Sequence, residues 1–200
     1  ARTPCSSKPT GAMPAWGRCL LRARAATGAQ ACRSLGRPAV ASFTALRRGA
    51  ASVPAPRVDI DQERRIIEIS PGEPSSHSAS CIFMHGLGDT ANGFAGVCHA
   101  WATDLPHVRF VCPTAPTSPV TLNGGVSMPS WYDIVGLDDR SLESCDGIQA
   151  SREIVLGLLE KEAAAVGHHR CVLAGFSQGG AMALYTGLQL PHRLAGILAM

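Results

Sequence analysis

The run Gly175-Phe176-Ser177-Gln178-Gly179-Gly180 has the G-x-S-x-G pattern in which a serine is carried on a sharp turn between a strand and a helix. A serine hydroxyl placed there attacks a carbonyl carbon, which is the opening step of acyl transfer. The glycines two before and two after Ser177 remove Cβ atoms that would clash in so tight a turn, and the strained backbone lifts the hydroxyl clear of the sheet. With 21 glycines in 200 residues the pattern alone is weak, so its flanks matter. Arg170 to Ala174 is a short apolar run suited to a buried parallel strand, and Ala181 to Leu190 reads as a helix. A strand, a turn and a helix are what the serine requires.

A second motif, His85-Gly86-Leu87-Gly88-Asp89, follows the strand-like stretch Ala79 to Met84. Attack on a carbonyl creates a negative oxygen. Two preorganised amides stabilise it, one from the residue after the nucleophile and one from a glycine-rich loop after an early strand. Here those donors are the backbone N–H groups of Gln178 and Leu87. His85 is read as a residue that shapes its loop by hydrogen bonding, and Asp89 as a cap for a helix over Ala91 to Trp101.

Four stretches carry a resemblance: Ile82 to Asn92 (IFMHGLGDTAN), Val111 to Leu122 (VCPTAPTSPVTL), Met128 to Leu137 (MPSWYDIVGL) and Leu173 to Thr186 (LAGFSQGGAMALYT). In order and spacing they resemble acyl-protein thioesterases of the phospholipase/carboxylesterase family over essentially Ser78 to Met200. The resemblance implies an α/β-hydrolase that cleaves thioesters, typically palmitoyl groups on protein cysteines, through an acyl-serine intermediate. It also implies side activity on lysophospholipids and small esters, and no cofactor.

The charge divides the chain. Ala1 to Val58 holds ten Lys or Arg and no Asp or Glu, whereas Asp59 onward holds eight and fifteen, so a +10 segment precedes a −7 body. The positive charge is confined to the leader, which argues against a nucleic-acid partner. Residues 1–57, rich in Ala, Arg, Ser and Gly, are expected to be a disordered basic leader with the composition of a mitochondrial or plastid transit peptide. A start at Met13, and with it the cytoplasmic setting usual for the family, is the alternative. Pro54 and Pro56 mark the junction with the body, 58–200. No stretch reaches the roughly 18 consecutive apolar residues of a membrane-spanning helix. The body cysteines, Cys81, Cys98, Cys112, Cys145 and Cys171, form no C-x-x-C pair and are expected to stay reduced, with no metal site. His168-His169 is read as a solvated turn.

The body alternates strands and helices. Arg65 to Ile69 is expected as an edge strand, followed by strands at Ser78 to Met84, Val108 to Cys112, Cys171 to Gly175 and Leu194 to Met200. A helix over Leu142 to Ala165 places Ile148, Val155, Leu158 and Leu159 inward and Glu153, Glu160, Lys161 and Glu162 outward. The expected fold is an α/β-hydrolase with a mostly parallel central sheet, incomplete at its C-terminal end. Pro113 to Leu137 reads as a long loop over the catalytic edge. Val120, Leu122, Met128 and Trp131 in it are candidates to line an acyl-chain groove or to anchor the loop to the core.

A triad of this type runs serine, acid, histidine. After Ser177 come His192 and no Asp or Glu. His192 follows Pro191 at the far end of the elbow helix, and His77, His85, His99 and His107 precede the serine. The economical reading is an incomplete chain, the N-terminal two-thirds of a hydrolase domain, hydrolytically inert or nearly so by itself. Its last strand is expected to leave an unpaired edge that favours aggregation. Two other readings stay open: a carboxylesterase or lysophospholipase acting on small esters or lysolipids, and a non-catalytic lipid-binding product.

Overall fold

The computed structural model describes residues 53–136 and 144–200. The leader up to residue 52 and the start expected for the second helix at Leu142 lie outside the described residues. Eight strands and three α-helices form among the described residues: β1 (Arg57–Asp61), β2 (Ile66–Ser70), β3 (Ala79–Met84), α1 (Ala91–Asp104), β4 (Val108–Pro113), β5 (Thr117–Val120), β6 (Val126–Pro129), α2 (Ile148–Val166), β7 (Cys171–Gly175), α3 (Gln178–Gly187) and β8 (Gly196–Ala199).

Six strands make the main sheet in the order β1-β2-β4-β3-β7-β8. The strands β4, β3, β7 and β8 pair in parallel, and β1 and β2 are antiparallel additions. The expected mostly parallel α/β sheet is therefore present. Buried strands bear apolar residues on both faces, and β3 divides them by alternation. Ile82 and Met84 join Leu158, Leu159, Met182 and Trp131 in one cluster, while Cys81 and Phe83 join Cys98, Ala102 and Phe110 in the other. Thus α2 and α3 cover one face and α1 packs on the other.

Three expectations need correction. The strand beginning near Arg65 is not at the edge: β2 pairs with both β1 and β4. The edge is β1, whose first residue, Arg57, falls within the 1–57 bounds expected for the leader. Its Val58 and Ile60 alternate with Arg57, Asp59 and Asp61, but both apolar side chains are exposed, so this short alternation does not mark a buried face. The second correction concerns the segment after Pro113, which contains the two-stranded hairpin β5–β6 rather than only loop. Its prolines sit in a ribbon outside the main sheet, where a missing N–H donor is tolerated, and Gly124 and Gly125 turn the chain at φ +67° and +78°. Glu162 is the third. It lies buried in α2 instead of facing solvent, because Ser80 Oγ donates to its Oε2 at 2.6 Å and Arg109 approaches its Oε1 at 3.5 Å.

Candidate active site

In an open parallel sheet, ligands bind beyond the carboxyl ends of the strands where the strand order reverses. Here the chain runs from β3 outward to β4, then returns to the other side of β3 to lay down β7 and β8. The ends of the neighbours β3 and β7 are the two places where the sequence put the glycine-rich loop and the serine.

Ser177 stands between β7 and α3 at φ +51° and ψ −117°, a conformation that non-glycine residues avoid and that marks a strained turn. The glycines around it have steric reasons. A Cβ on Gly175 would lie 2.2 Å from the Gly179 carbonyl oxygen, and one on Gly179 would lie 2.2 Å from the Met84 carbonyl oxygen at the end of β3. The elbow is held from behind by three backbone bonds: Phe176 N–H donates to Met84 O at 3.0 Å, Ser177 N–H to Met200 O at 2.6 Å, and Met200 N–H to Gly175 O at 3.0 Å. A Cβ on Gly86 would sit 3.5 Å from the Ser177 Cβ, so the loop after β3 lies directly against the serine.

Ser177, Leu87 and Gln178 line one cavity of about 350 Å³, together with Leu122, Tyr132, Ile134 and Ala181. Gln178 is the first residue of α3, where backbone N–H groups have no intrahelical acceptor and the helix dipole favours negative charge. In the loop, the N–H of Gly88 donates to Pro129 O and that of Asp89 to Gly86 O. The Leu87 N–H, just before them, has no carbonyl acceptor among the described residues. Ser177 and two residues whose amides lack a backbone acceptor among the described residues thus line one cavity, an arrangement suited to an oxyanion.

The other candidates separate. Leu122 lines the cavity. Met128 stands beside the loop, its Sδ 3.5 Å from where a Gly88 Cβ would lie and within 3.3 Å of Asn123 Nδ2. Trp131 and Val120 are fully buried, which fits the loop-anchor alternative of the two readings. The Trp131 Nε1–H donates to the His85 carbonyl at 2.8 Å. Tyr132 and Ile134 were missed although they lie in a stretch that carried the resemblance, because an aperiodic segment gives no sign of which side faces the cavity.

His85 shapes its loop. Its Nε2 accepts from Ala115 N–H at 2.9 Å, which leaves the proton on Nδ1 to donate to the Gly86 carbonyl at 2.6 Å. Burial holds its pKa below the ordinary 6.5 against raising contributions from the Gly86 carbonyl and Asp89. With both nitrogens engaged it is not a base for Ser177. Asp89 Oδ1 accepts from Thr90 N–H at 2.7 Å, one residue ahead of α1, and Thr90 is the N-cap. His77 contacts Ser80 at the start of β3, and His192 stacks on His168 at 4.4 Å, beside the start of β7 and so at the opposite end of that strand from Ser177. Among the described residues no histidine lines the serine cavity.

The body thiols are free among the described residues. Burial pushes Cys81 up to about 12 and Cys171 to about 11, so both behave as small apolar groups. No helix among the described residues is long and apolar enough to cross a membrane.

A parallel sheet with a strained serine elbow beside a glycine-rich amide loop defines an α/β-hydrolase. Residues 66–200 match the family described as Phospholipase/Carboxylesterase, and the chain belongs to that family. It is 40% identical over 124 residues to acyl-protein thioesterase 1 of Schizosaccharomyces pombe, covering 62% of this chain and 55% of the relative. To acyl-protein thioesterase 1 of Neurospora crassa it is 42% identical over 132 residues, covering 62% and 54%. Among solved structures, acyl-protein thioesterase 2 of Zea mays superposes with a TM-score of 0.58 at 29% identity, covering 67% of this chain and 60% of that one. SOBER1 of Arabidopsis thaliana gives 0.56 at 27%, covering 61% and 60%. The chain spans a little over half the length of these curated relatives.

Proposed function

We propose that the chain carries the nucleophile and oxyanion site of a serine hydrolase that cleaves thioesters, with S-acylated proteins as the substrate class. The observation that carries this is Ser177 at φ +51° in the same cavity as the amides of Leu87 and Gln178. The thioesterase names of the relatives and the carboxylesterase description of the family support it.

In the proposed reaction Ser177 Oγ attacks the thioester carbonyl and its proton passes to a base. The negative oxygen is held by the Leu87 and Gln178 amides, and collapse breaks the C–S bond, the leaving thiolate taking the proton. Water then hydrolyses the acyl-serine by the same path and releases the carboxylic acid. The apolar side chains of Leu122, Ile134 and Ala181, with Tyr132, give the acyl chain a surface to lie on.

No described histidine lines the serine cavity, so the chain alone is expected to turn over little. A mobile base substitutes for a fixed one: imidazole added to a palmitoylated peptide assay is expected to raise the wild-type rate above that of Ser177→Ala. Equal rates in the two proteins at every imidazole concentration refute the proposal. Comparing the peptide with a short-chain ester distinguishes thioesterase from small-ester activity.

A further inference from the structure

The two oxyanion amides sit on separate elements, Leu87 on the loop after β3 and Gln178 on α3, and a hole works only if their spacing is fixed. A continuous set of buried bonds joins them through the 130–132 segment after β6. The Gln178 side chain is buried. Its Oε1 accepts from Trp131 N–H at 2.9 Å, and its Nε2 donates to Tyr132 O at 2.7 Å and to Ser130 Oγ at 3.0 Å. Both ends of that amide are therefore committed to one short stretch of chain, and the assignment of O and N is fixed by it. From the same stretch the Trp131 indole donates to His85 O, and the His85 ring in turn holds Ala115 N–H and Gly86 O. Gly86 is the residue before the Leu87 donor. Behind the segment, Ser151 Oγ of α2 donates to Trp131 O.

We infer that the Gln178 side chain, Trp131 and His85 are positioning residues that fix the Leu87 amide against the Gln178 amide. Resting on the proposed reading of Ser177 as nucleophile, this adds a second task for Gln178: its backbone donates to the oxyanion while its side chain aligns the other donor. Trp131 acts through His85 rather than by contact with an acyl chain, which is why a fully buried ring sits next to the site.

The test follows phosphonylation of Ser177 by an alkyl fluorophosphonate in the presence of imidazole, each rate taken per folded chain. The phosphonyl oxygen occupies the place of the oxyanion. Trp131→Phe keeps an aromatic ring and removes the bond to His85 O. Gln178→Met keeps the volume and removes the side-chain amide bonds to residues 130–132, and it supplies the answer if the first variant does not fold. Each is expected to lower the limiting labelling rate about 10- to 100-fold with the half-saturating probe concentration within about twofold of wild type. Leu158→Ala, in the same core cluster but away from the bonded set, is expected to lower the melting temperature while leaving the rate per folded chain within about twofold. Either site variant labelling at the wild-type rate, or Leu158→Ala slowing labelling as much as they do, overturns the inference. A wild-type chain that takes no label at Ser177 overturns the reading of the nucleophile itself, and the two failures are distinguishable.

Discussion

At the scale of single residues, glycine is placed by contact distance. Gly179→Ala forces a Cβ against two backbone oxygens, of Met84 and His85, at 2.2 and 2.5 Å, and neither can rotate away. We expect a loss on the order of 3 kcal/mol or more in urea unfolding. Gly96, exposed in α1 with nothing within 4 Å of its added Cβ, is the contrast: Gly96→Ala is expected to gain about 0.5–1 kcal/mol in the same measurement. His85 gives a pH dependence. Its folded pKa lies below the unfolded 6.5, so the unfolded chain binds the extra proton and the stability it contributes is present above pH 6.5 and lost as the pH falls below that. His77, depressed first by burial and then by Arg109, acts in the same direction. Unfolding free energy is expected to drop between pH 7 and 5 by at most about 1.4 kcal/mol per pH unit for each histidine, and His85→Gln to flatten the slope. A slope unchanged in that variant contradicts the assignment. The serine motif and the amide loop were legible in the sequence because chemistry restricts residue types there. Trp131 was not, since an indole that anchors and one that contacts a ligand look alike until its burial is known.

At the scale of elements, the parallel strands were legible because burial on both faces writes continuous apolar runs such as Cys81 to Met84 and Cys171 to Ala174. The edge strand β1 and the hairpin β5–β6 were not. The alternation of β1 rests on Val58 and Ile60 alone, both exposed, and the hairpin strands are four residues each with Val120 their one buried residue, too little to mark a strand. Helix α2 was recognisable by its apolar stripe, yet Glu162 sits on the buried side. Its partners Ser80 and Arg109 come from β3 and β4, far away in sequence, so no local pattern reports them. Glu162→Ala is expected to cost about 2–3 kcal/mol, less than a fully enclosed pair because the Arg109 side chain is 26% exposed. Glu162→Gln, which keeps the Ser80 bond, is expected to cost less. Equal losses would show that the bond to Ser80 contributes nothing.

At the scale of the whole molecule, the α1 face of the sheet carries an apolar groove of about 530 Å³ lined by Cys81, Trp101, Leu105, Phe110, Val172 and Leu198. Leu105 and Leu198 are each 44% exposed. An open apolar surface of this kind binds hydrophobic dyes and drives self-association. Leu198→Lys is expected to reduce both, by dye fluorescence and sedimentation, whereas a wild-type monomer with a sharp thermal transition and no dye binding contradicts that expectation. The proposed catalytic centre is divided in a similar way: Ser177, Leu87 and Gln178 line one cavity at the ends of β3 and β7, while none of the seven histidines lines it. Whether Ser177 is the acyl acceptor, as proposed, is decided by mass-spectrometric mapping of the chain treated with alkyl fluorophosphonate and imidazole. A single phosphonyl adduct on Ser177, absent from Ser177→Ala, is the expected result. An adduct elsewhere at equal yield, or none on Ser177, contradicts it.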